Sequence, residues 1–133
     1  MDAEKLSKRW FVAAITYFAI GVGFGVYMGA SGDHALFTVH SHISLLGWAS
    51  MGLTGVMYRS FPAAARTRLA AWHFWLYQLA LPVMLLAVGA LYSGAKDADP
   101  VAGVASVVIL VSVLLFWWAI VSAQNGEAAI KPQ

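Results

Sequence analysis

Four stretches of the chain contain no Asp, Glu, Lys or Arg: residues 10–32, 35–58, 69–95 and 100–126. A helix needs about 20 predominantly apolar residues to cross a hydrocarbon core of ~30 Å, so each stretch is long enough. Backbone inside lipid finds no water, and a helix satisfies its own polar groups. The pattern predicts an all-α integral membrane protein with transmembrane helices near 10–30, 35–59, 69–94 and 100–124. Any one stretch would also suit a buried core helix. Four in succession, in a chain of 133 residues that is 61% hydrophobic and 11% charged, leave too little polar surface for a soluble fold. The connections are short, so the helices are expected to alternate in direction. Residues 1–133 then form a single membrane domain, a four-helix up-down bundle.

Orientation follows from the basic residues, which stay on the cytoplasmic side when they lie in short loops. Lys5, Lys8 and Arg9 precede the first helix, and Arg59, Arg66 and Arg68 lie between the second and third. The other two connections carry Asp33 and Lys96, Asp97 and Asp99. Both termini are therefore expected to be cytoplasmic. The net charge of +2 comes from these topology residues and gives no basic groove of the kind nucleic acid requires. The first apolar stretch begins late and lacks an Ala-x-Ala site, so it is expected to stay as a helix rather than be cleaved. The chain has no cysteine, which excludes disulfides, thiolate metal sites and covalent c-type heme attachment.

Within the spans, Gly21, Gly25 and Gly29 recur at the small-xxx-small spacing that lets helix backbones approach closely. They can serve packing, between helices or between chains, or leave room for a flat cofactor beside the first helix. Pro82 removes one backbone hydrogen bond from the third helix, and Gln78, four residues earlier, is a candidate partner for the freed groups. Trp72, Trp75, Trp117, Trp118, Tyr58 and Tyr92 fall near span ends, where an aromatic belt explains them. No catalytic base, nucleophile or carboxylate pair lies within a span.

His40 and His42 are the exception to this apolar pattern, set in HALFTVHSHISLLGW. With the orientation above, they lie roughly 6–10 Å below the outer start of the second helix. A spacing of two turns their rings about 200° apart on a regular helix, so they cannot hold one ion from the same face. His42 shares a face with Leu45, Leu46, Ala49 and Leu53; His40 shares one with Ser44, Gly47, Met51 and Thr54. Both can be neutral imidazoles bonded to other helices, or ligands of a metal or heme, since ionisable groups inside membranes usually mark function. Met28 and His34 lie on the same outer side. His73, near the cytoplasmic start of the third helix, is roughly 15–20 Å from His42 along the membrane normal. It is expected to be a packing or hydrogen-bonding residue, not a ligand of the outer site.

The first helix with its short loop, then HSHISLLGW, MGLTGVMYRSFP and HFWLYQLALPVMLL, resembles the first part of subunit I of heme-copper oxidases and nitric oxide reductases. It is closer still to small stand-alone membrane proteins similar to that segment. The resemblance covers the first three helices well and the fourth loosely. In that superfamily a histidine near the outer end of the second helix is an axial ligand of the low-spin heme. Here the matching position is His42, followed by the Leu45–Leu46 pair, with His40 the competing assignment. Nothing in this chain matches the tenth helix, which supplies the opposite heme ligand and the ligands of the catalytic heme and copper. The resemblance therefore does not imply a complete oxidase or reductase.

Two functional classes follow. One is a b-type heme protein of a bacterial-type inner (cytoplasmic) membrane, for electron transfer, gas sensing or heme handling. In it His42 or His40 binds iron, Gly25 and Gly47 leave room for the porphyrin, and Met28 or a second histidine fills the opposite position. The other is a copper-handling protein that gathers His34, His40, His42 and Met28 at the outer face. A structural membrane subunit is the third possibility. Four helices offer too few inward faces for two histidines about 200° apart, and the opposite ligand has still to be found, which leads to an expected homo-oligomer, with the lipid bilayer and a redox protein as further partners.

Overall fold

The computed structural model describes residues 2–128, with side chains as far as residue 125. The ends of the 1–133 domain, residue 1 and residues 129–133, lie outside the described residues. Helices α1 (Ala3–Ser31), α2 (Phe37–His42), α3 (Met51–Ser60), α4 (Pro62–Ala65), α5 (Arg68–Tyr92) and α6 (Asp99–Ala128) follow one another, and no strand occurs among the described residues. Three of them, α1, α5 and α6, are long and apolar enough to cross a membrane.

Helix α1 starts seven residues before the expected boundary, because its first turns are amphipathic. Leu6, Ser7 and Trp10 are buried, while Glu4 and Lys8 form an exposed ion pair at 2.7 Å. Ser7 Oγ donates to the Gly55 carbonyl at 2.9 Å, which ties this extension to α3. The left-handed Gly32 (φ 69°) ends the helix, its N–H returning to the Met28 carbonyl. At the other turn Thr67 caps α5, its hydroxyl accepting from the Ala70 N–H at 3.2 Å. Helix α5 runs as one element through Pro82.

The second apolar stretch is helical from Phe37 to Ser60 but is not one α-helix. Between α2 and α3 lies an eight-residue π-helical segment, Ile43–Ser50. Such segments are rare and are held by particular partners. Here Tyr77 of α5 donates its hydroxyl to the Leu46 carbonyl at 3.1 Å, and Ser50 Oγ donates to the Leu45 carbonyl, five residues back. Tyr17 of α1 covers Gly47 so closely that a Cβ there would lie 2.6 Å from the ring's Cγ.

Helix α1 packs along this second helical stretch, and α5 packs along α6. The two pairs join in an aromatic core. His73 is buried with its ring 4.7 Å from Trp10 and 4.9 Å from Phe116, and its Nδ1 lies 2.9 Å from the Tyr58 hydroxyl. Ser112 of α6 donates to the His73 carbonyl at 3.0 Å. Tyr58 is thus a core residue and not part of an aromatic belt. Its face of α3 points at His73. Trp72, Trp75, Tyr92, Trp117 and Trp118 are more than half exposed.

Candidate functional site

The two histidines of α2 have different surroundings. His42 is half-buried, and its Nδ1 lies 2.8 Å from the Thr38 carbonyl, one helical turn earlier. A carbonyl can only accept, so Nδ1 carries the proton and Nε2 keeps its lone pair. Metal-bound imidazoles are held in this way, with the second ring nitrogen donating to a carbonyl or carboxylate that fixes tautomer and ring direction. The Thr38 carbonyl is absent from the candidate residues named from sequence, although the spacing of four between Thr38 and His42 was available as a signal. Leu45, on the His42 face, is 64% exposed, and Leu53 further along is also exposed. That flank of the helix is open and apolar.

His40 is turned the other way. A Cβ built on Gly25 would lie 3.4 Å from its Cε1, so its ring sits against α1. Its Nδ1 is buried without a hydrogen-bond partner, while Ser44 Oγ donates to its backbone carbonyl at 2.9 Å. Gly47, Met51 and Thr54, which share its face, are buried, so this is the face that points into the subunit.

The remaining candidates do not gather around His42. Met28 is buried and, three residues beyond Gly25, shares the α1 face that meets His40. Gly47 lies beneath the Tyr17 ring. His34 is exposed on the loop, its Nδ1 3.0 Å from the Gly32 carbonyl. Among the described residues no group of three or more His, Cys, Asp or Glu side chains is placed to hold a metal ion, so His34, His40 and His42 do not form one site.

The glycine stripe also divides. Gly21 is filled by Ile43 Cγ2, 3.1 Å from where a Cβ would stand, and Gly25 by the His40 ring. Only Gly29 has open space beside it. The stripe is therefore spent mainly on packing α1 against the second helix of the same chain, and Gly21 and Gly25 are not a free surface for a second copy. The chain matches no family model, no curated protein and no solved structure.

Proposed function

We propose that this chain is an integral membrane b-type heme protein whose iron is bound by Nε2 of His42. Four helices cross the bilayer in up-down order with both termini cytoplasmic, in a bacterial-type inner membrane. The three long apolar helices and the helical continuity of residues 37–60 support four crossings, and the basic residues at the start of α1 and around α4 support the orientation. The observation that carries the heme assignment is the 2.8 Å contact from His42 Nδ1 to the Thr38 carbonyl, which leaves Nε2 the ligating nitrogen. The exposed apolar flank around Leu45 suits the face of a porphyrin. Bound there, heme would supply a one-electron couple or an open iron position for a gas.

His40 faces α1 and Met28 lies on the α1 face that meets it, so neither shares His42's flank. A second ligand for the iron would then come from a second copy of the chain, so that the protein would work as a homo-oligomer and exchange electrons with a redox partner. The copper reading needs His34, His40, His42 and Met28 together, and the separation of these side chains favours heme over it. The test is heme content of the purified protein by pyridine hemochrome, with copper measured in parallel. The parent should contain heme b, His42→Ala should lose it, and His40→Ala should keep it. Retention of the parent's heme by His42→Ala would overturn the assignment. A parent with neither heme nor copper would leave the structural-subunit reading.

A further inference from the structure

At the end of the bundle that carries the basic residues, a cleft of about 440 Å³ is lined by Asp2 and Glu4 at the start of α1, Arg59 near the end of α3 and Arg66 just after α4. The buried Ala3 and Tyr58 line it as well, and the Tyr58 hydroxyl is already engaged by His73. Two acids and two arginines thus open onto one space, yet among the described residues no ion pair joins either acid to either arginine. Glu4 pairs instead with Lys8 of its own helix, through side chains that are both more than half exposed, and it feels Arg59 only at longer range. Asp2 stands at the N-cap position of α1 and its side chain does not cap the helix.

A lone arginine at a surface is explained by water, and an exposed ion pair adds little stability. The arrangement of these four is more specific. Both signs line one cleft, neither neutralises the other across it, and the four charges sum to zero. A simple anion held by Arg59 and Arg66 would be repelled by Asp2 and Glu4, and a simple cation would meet the reverse. A zwitterion with its two charges a short spacer apart satisfies both pairs. Guanidinium forks match phosphate oxygens, and carboxylates accept from a primary ammonium, which carries three donors.

We propose that this cleft binds a phosphoethanolamine headgroup, that of phosphatidylethanolamine, with the phosphate on Arg59 and Arg66 and the ammonium on Asp2 and Glu4. A lipid is the source because of depth. Arg59 directly follows the charge-free stretch that ends at Tyr58, so the cleft begins where the hydrocarbon core ends and headgroups lie. A headgroup held there links the start of α1 to α3 and α4, the connection that Ser7 makes to α3 through the Gly55 carbonyl. The assignment rests on the membrane crossings proposed above and not on heme at His42.

The experiment is native mass spectrometry of the full chain in detergent, titrated with phosphatidylethanolamine, phosphatidylglycerol and phosphatidylcholine of identical acyl chains. Phosphatidylglycerol lacks the ammonium, and the ammonium of phosphatidylcholine lacks N–H donors. The parent should bind phosphatidylethanolamine about tenfold more tightly than either, the worth of one charge-assisted hydrogen bond. Arg59→Gln combined with Arg66→Gln should lose that tight binding. Asp2→Asn combined with Glu4→Gln should reverse the order, so that phosphatidylglycerol binds more tightly than phosphatidylethanolamine. Equimolar soluble phosphoethanolamine should not displace the lipid. Heme is measured on the same samples, so lipid selectivity and heme binding can fail separately. Equal or tighter binding of phosphatidylglycerol by the parent would show a plain basic patch, and equal binding of phosphatidylcholine would remove the ammonium contact. Either result would overturn the proposal. So would an unchanged order in the folded acid variant, parent-like binding by the arginine variant, or displacement by soluble phosphoethanolamine, which would assign the cleft to the free compound.

Discussion

Gly47→Ala tests the packing that holds the π-helical segment against α1. The added Cβ would stand 2.6 Å from Tyr17 Cγ and 2.7 Å from its Cβ and Cδ1. Carbon atoms in contact prefer roughly 3.5–4.0 Å, so the shortfall is about 1 Å. A change of rotamer can turn Cγ and Cδ1 aside but not Cβ, which is fixed to the α1 backbone, so α1 itself has to move. Overpacking of this kind costs about 1–3 kcal/mol. Replacing a helical glycine by alanine returns about 1 kcal/mol of backbone propensity, so the net loss should be about 0–2 kcal/mol, and the variant should lie about 1–3 kcal/mol below an unobstructed Gly→Ala change. Gly23→Ala is the control, because nothing lies within 4 Å of its Cβ and only the propensity gain applies. Unfolding in mixed micelles, titrated with SDS and followed by circular dichroism, measures both. Combining Gly47→Ala with Tyr17→Ala should recover part of the loss, since the two changes are coupled through one contact. Equal stability of Gly47→Ala and Gly23→Ala would refute the packing argument.

Tyr58→Phe leaves His73 Nδ1 without its partner in the aromatic core and should cost about 1–3 kcal/mol in the same unfolding assay, with heme content per folded chain unchanged. Gly25→Leu drives a side chain into the His40 ring and should lower the stability of the individual chain, whereas Gly29→Leu has open space and should leave it intact. If the outer end of α1 meets a second copy, Gly29→Leu lowers the mass of the detergent-solubilised particle, with detergent subtracted, from oligomer towards monomer. An unchanged mass would place the contact elsewhere.

The helices were legible because charge is excluded from each span, and this constraint acts on every residue without reference to tertiary structure. The His40 face and the His42 face were separable too, since α2 is regular where both residues sit. The π-helical segment was not legible. Nothing in ISLLGWAS announces it, because its partners, Tyr77 and Tyr17, come from other helices. The same holds for Tyr58, whose burial depends on a histidine fifteen residues away on another helix. The glycine spacing showed that a close approach occurs but not whose backbone approaches, and the answer is largely the chain's own second helix. Gln78 and Pro82 were visible as a pair that frees a carbonyl; the cleft that Asp2 and Glu4 share with Arg59 and Arg66 required three helices to be placed.

The central claim is iron ligation through His42 Nε2, and ligand rescue tests it most directly. Purified His42→Gly should lack the Soret band of the parent, and added imidazole, which fits the vacated volume, should restore both the band and heme stoichiometry. Imidazole should have no such effect on His40→Gly, which should keep its heme throughout. A heme-loaded His42→Gly with the parent's spectrum before imidazole is added would contradict the account.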